Sequence, residues 1–174
     1  MNALVQTCTD CGQPVAPERR NYRYLESGLS TVILKGIEIA NCPNCGNQDI
    51  TIPRIGKVHR AIAEALASSP YRLTGEQVRF LRKYLGCHTE DFASYLHADA
   101  ATISKWESGE ETPGPEADRL IRLLAVALDK GLRPAISAIA GHLPHISDAP
   151  GTGKELHLNV DTLHGAFYTF SVAA

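Results

Sequence analysis

The sequence CTDCG at residues 8–12 recurs as CPNCG at residues 42–46, so the chain has two C-x-x-C-G segments, which we call the first and second knuckles. In each knuckle a short turn brings two thiols toward one point. The glycine that follows, Gly12 or Gly46, lets the chain turn with its backbone amides facing the sulfurs. Two such turns supply four soft ligands, which suits a tetrahedral metal ion. The predicted metal ligands are Cys8, Cys11, Cys42 and Cys45.

Zinc is the metal expected at these cysteines, because a closed four-sulfur site is its usual structural form. Iron, in a rubredoxin-like or redox site, is the alternative, and the spacing does not separate the two ions. The N-terminus MNALVQTCTD has no secretory signal pattern, and no stretch has the ~18 apolar residues of a membrane span, so we expect a cytoplasmic protein. Thiols stay reduced in that compartment, which favours metal ligands over disulfides.

Length and composition limit the function classes. A chain of 174 residues is long enough for one ordinary domain or two small ones. Apolar residues at 44% and charged residues at 21% are ordinary globular values, so most of the chain is expected to bury a core. The net charge of -2 argues against nucleic-acid binding through bulk electrostatics, so any such contact must be local. Since no nucleophile, base and orienting residue occur together in a motif, we do not expect an enzyme.

The segment between the knuckles is rich in β-branched and aromatic residues, which predicts strands at 22–25 and 31–39 separated by glycine turns. A small sheet there would bring the two knuckles together, so residues 1–52 are predicted to form a zinc-binding domain. Residues 53–70 follow as a helical connector with apolar residues at helical spacing. We expect the units on either side of the connector to keep their cores when cut apart.

Residues 71–141 are predicted to form five short helices joined by tight turns. Thr74 caps the first helix, Thr89 the second and Asp99 the third. Prolines open the fourth and fifth helices. The fourth helix carries an apolar stripe that we expect to form its core face. The stripe consists of Leu120, Leu123, Leu124, Ala127 and Leu128.

Residues 142–174 are a C-terminal extension. Its segments ELHLNV (155–160) and AFYTFSV (166–172) alternate as strands do, and with a turn at 161–165 they could form a β-hairpin. An exposed hairpin is prone to aggregate, so we expect it to pack on its own domain or pair with another chain. The GTGK segment (151–154) lacks the other residues of a phosphate-binding loop, so that function is rejected.

The segment LGCHTEDFASYLHADAATISKWESGEETP (85–113) resembles the helix-turn-helix of the Xre/phage-repressor family. Ala93 takes the small-residue position of the second helix, and TISKWESG carries the third helix and its exit. Together with YLESGLSTVILKGIEIANCPNCG and GEQVRFLRKYLG, the chain resembles the MqsA-type antitoxins, which join a YgiT-type zinc finger to such a motif. The resemblance implies an α+β fold, mainly α, with a small β-rich zinc domain followed by a five-helix Xre-type domain. It covers roughly residues 8–130.

The resemblance also implies a function. The chain would be a DNA-binding transcriptional repressor and the antitoxin of a type II toxin–antitoxin pair, with a zinc domain that silences an mRNA-cleaving ribonuclease toxin. The helix-turn-helix would repress the shared operon through double-stranded operator DNA, and a homodimer is expected because two-fold operators match two-fold proteins. Two alternatives stay open: a stand-alone metal- or redox-responsive regulator without a toxin, and a protein-binding adaptor that has lost DNA binding.

In the resemblance, the third helix lies in the major groove, where its N-terminal half meets base edges while other residues contact phosphates. Ile103 would face the core. The positions that would face the bases are Ala100, Ala101, Ser104 and Lys105. Alanines stand where the families usually carry Gln or Asn, so Lys105 is the strongest candidate for a base contact, as a donor to guanine. The candidate phosphate contacts are Thr89, Thr102 and Ser108.

Other residues of the helical region are expected to be structural. Arg82 in the first helix and Glu107 at the end of the third occupy positions that form an ion pair in repressor-like domains, so we expect the same pair here. Such a pair fixes helix orientation more than it adds stability. Arg72, Arg79 and Lys83 either add positive charge near the DNA or form a solvated face. The residues expected to pack in the core are Phe80, Phe92, Tyr95 and Trp106, and Cys87 is expected to be half-buried.

Overall fold

The computed structural model describes residues 5–162 and 168–172 of the chain. Within these residues the fold is α+β, as predicted, with six α-helices, one five-stranded sheet and two two-stranded sheets. None of these helices is long and apolar enough to cross a lipid bilayer. The helices are α1 (Ile55–Ala67), α2 (Gly75–Tyr84), α3 (Thr89–Tyr95), α4 (Ala100–Ser108), α5 (Pro115–Leu128) and α6 (Ile136–His142). The strands are β1 (Gln6–Thr7), β2 (Pro14–Val15), β3 (Glu18–Arg23), β4 (Val32–Asn41), β5 (Gln48–Thr51), β6 (Tyr71–Arg72), β7 (Ser147–Pro150), β8 (Lys154–Asn159) and β9 (Tyr168–Val172).

The five-stranded sheet is built around β4, its longest strand. One edge of β4 pairs with β3 in antiparallel fashion. Two strands share the other edge, with β5 antiparallel along Glu38–Asn41 and β8 parallel along the segment that begins at Val32. Gly36 adopts a φ of 79°, which glycine tolerates, and the register of β3 against β4 shifts near it. This bulge keeps Ile37 on the buried side of the sheet that Leu34 also occupies.

The C-terminal extension completes the N-terminal sheet. Its two strands, β8 and β9, pair in antiparallel fashion, so the hairpin suggested by the sequence is present. It packs within the chain itself, because β8 adds to β4 and places Leu156, Leu158 and Val160 in the core beneath α1. Most of the expected turn at 161–165 lies outside the described residues. A second pairing, of β7 with β6, holds the start of the extension beside α2.

One apolar core runs through both halves of the chain. Leu34 of the sheet, Ile62 of α1 and Leu81 of α2 are fully buried members of the same cluster. The core therefore has no break at residue 70, and a cut there would remove β8 from its sheet. The division of the chain into four domains stays a prediction, but independent cores on either side of the connector are not what the packing shows.

The helix boundaries follow the capping residues. Thr74 and Gln77 form a capping box at the start of α2, and the Asp99 carboxylate accepts from the Thr102 backbone N–H at 2.6 Å at the start of α4. Thr89 does not cap α3 as predicted, because His88 holds the extended N-cap position and Thr89 is the first helical residue.

The core face of α5 differs from the predicted leucine stripe. Leu120, Leu123 and Leu128 are 42%, 39% and 44% exposed, so most of the stripe faces outward, while Leu124 packs against the core. The buried face instead contains Asp118 and Arg122, which are 1% and 0% exposed. Both sets of residues recur at helical spacing, so periodicity does not distinguish them.

Arg122 makes polar contacts from the buried face of α5, which also contains Ile121, Ala125 and Val126. Its Nε donates to the Asp118 carboxylate at 2.7 Å, and its terminal nitrogens donate to four backbone carbonyls at and after the end of α1. The guanidinium thus supplies a buried donor to each of these carbonyls. They belong to Leu66, Ala67, Ser69 and Tyr71. Asp118 in turn accepts from the backbone N–H of Leu73 at 2.7 Å, so the pair fixes the connection between α1 and α2.

Candidate metal centre and nucleic-acid interface

The four knuckle cysteines lie together, as the sequence predicts. Their sulfurs are all within 4.8 Å of one another, with Cys8 Sγ 3.6 Å from Cys45 Sγ and Cys11 Sγ 3.5 Å from Cys42 Sγ. None of them forms a disulfide. In a tetrahedral site with zinc–sulfur bonds of about 2.3 Å, neighbouring sulfurs are about 3.8 Å apart. The four thiols therefore fit a single tetrahedral metal ion.

The two knuckles have the same backbone structure. Each is closed by two backbone hydrogen bonds across its turn, and each ends on a glycine in the left-handed region, with a φ of 72° at Gly12 and 77° at Gly46. A side chain at either glycine would strain this turn. The bonds run from Cys8 N to Gln13 O (2.9 Å), Gly12 N to Cys8 O (3.1 Å), Cys42 N to Asn47 O (2.8 Å) and Gly46 N to Cys42 O (2.9 Å).

The thiols differ in burial and in acidity. Cys8 and Cys42 are buried in a small apolar cluster that is separate from the main core, whereas Cys45 is exposed. Hydrogen bonds from the Gln13 backbone and the Asn44 side chain lower the pKa of Cys11 to about 6. The Asn47 backbone lowers the pKa of Cys45, but the neighbouring thiols and burial outweigh it and raise that pKa to about 12.

Polar side chains outside the ligand set connect the knuckles. Thr9 of the first knuckle donates through Oγ1 to Asp49 Oδ1 at 2.7 Å and through its backbone N–H to Asp49 Oδ2 at 3.3 Å. Asn47 donates through Nδ2 to Asp49 Oδ1 at 3.1 Å. The hydroxyl of Thr9 lowers the pKa of Asp49, which keeps this carboxylate ionised as an acceptor. These residues carry no sequence signal beyond their position beside the cysteines.

The predicted recognition helix, α4, is held by its inner face. Ile103 and Trp106 are buried, and α4 packs against both α2 and α3. The predicted base-facing residues Ala101, Ser104 and Lys105 are exposed, and Ala100 is half-buried. Of the predicted phosphate contacts, Ser108 is exposed while Thr89 and Thr102 are half-buried. The predicted set on α4 thus lies on its outward side.

The ion pair expected between the first and third helices of the motif is present. Arg82 Nε lies 2.5 Å from Glu107 Oε1, and Arg82 Nη2 lies 2.9 Å from Glu107 Oε2. The two side chains are only 13% and 8% exposed. A further guanidinium N–H of Arg82 donates to the Cys87 carbonyl at 3.0 Å, so this residue joins α2, α4 and the turn before α3.

The surface around α4 has more acids than bases. Between Gly75 and Glu111 the sequence has four Lys or Arg and seven Asp or Glu residues. Two of the arginines considered for DNA contact are used within the protein, since Arg72 donates to the Pro113 carbonyl and Arg79 to the Glu107 carbonyl. Lys105 also has a partner, because its Nζ lies 2.8 Å from Glu111 Oε1.

The aromatic residues that were predicted to lie in the core do so with one exception. Phe80, Phe92 and Trp106 pack in the core as expected. Tyr95 does not, because it is 53% exposed at the end of α3. Cys87 is half-buried and lies outside the metal cluster.

Comparisons of the chain with models of protein families, with curated proteins and with solved structures find no match in any of the three. The resemblance to MqsA-type antitoxins therefore rests on the sequence motifs alone. The described residues establish an α+β fold and four free cysteines that could hold a metal ion.

Proposed function

We propose that the protein is a DNA-binding transcriptional repressor whose α4 enters the major groove. The observation that supports this function is the way in which α4 is packed against the rest of the protein. Its inner residues Ile103 and Trp106 are buried, the Arg82–Glu107 pair locks it to α2, and its outward residues face solvent. A helix held in this way can present side chains to base edges without changing its own packing.

The cysteine cluster is proposed to hold Zn2+ in a structural role. Four thiols at tetrahedral spacing leave no open position for a substrate, which is the arrangement of structural zinc sites. When bound, the ion would link β1 and β2 to the turn between β4 and β5 through Cys8, Cys11, Cys42 and Cys45. In this proposal the protein is a regulator and not an enzyme.

The finer proposal is that the repressor is the antitoxin of a type II toxin–antitoxin pair and acts in the cytoplasm. Its support is the combination of paired cysteine knuckles with a helix-turn-helix, as in MqsA-type antitoxins. The partners would be operator DNA, a ribonuclease toxin held by the N-terminal half, and a second copy of the chain. The exposed stripe of α5, with Leu120, Leu123 and Leu128, supports the homodimer, because such apolar patches mark interfaces.

One observation favours a second candidate, a protein-binding adaptor without DNA binding. The region around α4 is locally acidic, and Ala100 and Ala101 offer bases only methyl groups. Phosphate contacts supply most of the affinity of ordinary DNA-binding proteins, so an acidic surface opposes them. A metal- or redox-responsive regulator is a further alternative, since Cys45 is exposed to solvent.

The test compares binding of the full, metal-loaded chain to DNA from upstream of its own gene and to a scrambled duplex of the same composition. The repressor proposal expects tighter binding to the upstream DNA, with an affinity that falls as salt rises. Equal, weak binding to both duplexes would favour the adaptor. Co-expression with the product of the neighbouring gene, followed by a ribonuclease assay, tests the antitoxin proposal separately. If the product of the neighbouring gene neither binds the chain nor cleaves RNA, the result would favour a stand-alone regulator without a toxin.

A further inference from the structure

We infer that Asp49 is the positioning residue of the metal site and that, with Thr9 and Asn47, it clamps the two knuckles into ligating geometry. The inference rests on the metal occupancy proposed above. It extends that proposal by naming the residues outside the ligand set on which metal affinity depends.

The first knuckle needs such a clamp because little else holds it. Its strands β1 and β2 have two residues each and pair only with one another, so within the described residues they are not hydrogen-bonded into the five-stranded sheet. The apolar cluster beneath this hairpin is also small and separate from the main core. The second knuckle, in contrast, joins β4 to β5 and is fixed by the sheet.

Asp49 connects the first knuckle to the five-stranded sheet. Both of its carboxylate oxygens accept from Thr9, one from the hydroxyl at 2.7 Å and the other from the backbone N–H at 3.3 Å. Thr9 follows Cys8 directly, so these two bonds set the direction of the loop that carries the first two sulfurs. Asp49 is itself placed by β5, where it is the register partner of Ala40.

Asn47 closes the clamp from the second knuckle. Its Nδ2 donates to Asp49 Oδ1 and to Thr9 Oγ1, each at 3.1 Å, and lies 4.0 Å from Cys8 Sγ. The equivalent position of the first knuckle is Gln13, whose bonds among the described residues are backbone bonds to Cys8 and Cys11. The amide therefore adds a donor toward a ligand sulfur as well as a second anchor for the carboxylate. Groups of this kind around metal ligands commonly change affinity by about 10–100-fold.

Asp10 provides a matched control. It lies in the first knuckle between the same two cysteines, it is exposed, and it makes no hydrogen bond or ion pair among the residues that the structure describes. Asp10→Asn and Asp49→Asn each remove one negative charge beside the cluster. Only Asp49→Asn weakens the clamp, so a difference between the two variants reports hydrogen bonding and not net charge.

The experiment titrates the reduced, metal-free full chain with Co2+, whose absorption bands identify tetrahedral four-thiolate coordination, and measures affinity by competition with a chelator. We expect Asp49→Asn to bind Co2+ about 10–100-fold more weakly than the wild type. Asp10→Asn should stay within about threefold of the wild type, because an exposed charge with no partner contributes little. Equal affinity of the Asp49→Asn and Asp10→Asn variants would overturn the clamp while leaving the metal site intact. A wild type that shows no four-thiolate bands would overturn the metal proposal and the clamp with it.

A second pair of variants separates positioning from loss of folding. Thr9→Val removes the hydroxyl and should weaken Co2+ binding, whereas Thr9→Ser keeps the hydroxyl and should restore it. Circular dichroism of the helices should be the same in both variants, because α1 to α6 lie outside the knuckles. A Thr9→Ser variant that binds Co2+ as weakly as Thr9→Val would contradict the clamp, even though both proteins fold.

Discussion

Lys105 and Glu111 form an ion pair, with Lys105 Nζ 2.8 Å from Glu111 Oε1, so the predicted base-contacting side chain is held by a carboxylate of its own chain. The pair raises the pKa of Lys105, which keeps the ammonium charged. Both side chains are about half exposed, so the pair itself contributes little to stability. In the proposed complex, DNA would therefore compete with Glu111 for this ammonium group.

Removal of Glu111 should strengthen DNA binding. Glu111→Gln frees Lys105 and removes a charge that repels phosphate, so we expect affinity for the upstream DNA to rise up to about fivefold, the equivalent of an exposed ion pair. Fluorescence anisotropy at fixed salt measures the change. Glu110→Gln is the control, because this substitution removes an equal charge from a residue whose side chain does not bond to Lys105. An equal gain from the two variants would mean that only net charge matters.

Lys105→Ala should weaken specific DNA binding by about 1–3 kcal/mol if Lys105 reads a base. A lysine that contacts only phosphate would instead weaken binding to all sequences about equally and reduce the salt slope by about one. Titrations of the upstream and scrambled duplexes at several salt concentrations distinguish these outcomes. Lys57→Ala, on the exposed side of α1, serves as the control for loss of a lysine elsewhere. Unchanged binding by Lys105→Ala would remove this residue from the interface.

Arg82→Ala should destabilise the protein by about 3 kcal/mol, because it leaves the buried Glu107 carboxylate without its main partner. The loss should be at the lower end for a buried pair, since Arg79 Nε remains 3.5 Å from Glu107 Oε2. Urea unfolding measures the free energy. The neighbouring substitution Lys83→Ala should change it by less than about 0.5 kcal/mol, as surface changes usually do. Similar values for the two variants would show that the pair does not hold α4.

Metal removal should loosen the knuckles but not the main core. The cysteine cluster and the core that contains Leu34 and Ile62 are separate, so a chelator should raise amide exchange in the knuckles while β4 and α1 stay protected. Cys42→Ser should have the same effect and abolish binding of one zinc per chain. Cys87→Ser should leave zinc content unchanged, because Cys87 is not part of the cluster. Elemental analysis measures the zinc content, and hydrogen exchange measures the protection of the backbone amides.

Leu158→Ala should destabilise the sheet and the helices together. Leu158 of β8 is buried in the core shared with α1, so its truncation should cost about 2–5 kcal/mol in a single unfolding transition. Leu120→Ala on the exposed side of α5 is the control and should cost far less in the monomer. If the protein unfolds in two separate transitions and Leu158→Ala shifts only one of them, the chain would instead consist of independent units divided at residue 70.

The parts of this fold that follow from sequence are local. The knuckles, the caps at Thr74 and Asp99, and the helices they begin depend on residues within a few positions of one another. The Arg82–Glu107 pair was accessible only through the resemblance to repressor domains, because nothing in the local pattern connects these two residues.

The features of the fold that the sequence does not predict involve long-range contacts or break the apolar pattern. Periodicity favoured the leucines of α5, whereas the structure buries Arg122, because its guanidinium satisfies backbone carbonyls whose position depends on the end of α1. The pairing of β8 with β4 is equally invisible to a local pattern, since both strands alternate correctly whichever neighbour they have. The Thr9–Asp49 contact depends on how the two knuckles meet, which spacing alone does not determine.

The pairing of β8 with β4 also has a consequence for biosynthesis. Val32 and Leu156 are register partners, yet the ribosome makes Leu156 more than one hundred residues after Val32. At about 5–20 residues per second, on the order of ten seconds pass before the strand that completes the sheet exists. During that interval the first residues of β4 lack their β8 partner, and an unpaired strand edge is a template for pairing with another chain. A chaperone that binds the nascent chain, or a ribosome that stalls on the mRNA, would therefore act on a chain whose sheet still lacks β8. A truncated mRNA that ends between the codons of β4 and β8 would encode a chain that has all four knuckle cysteines but an unpaired edge of β4.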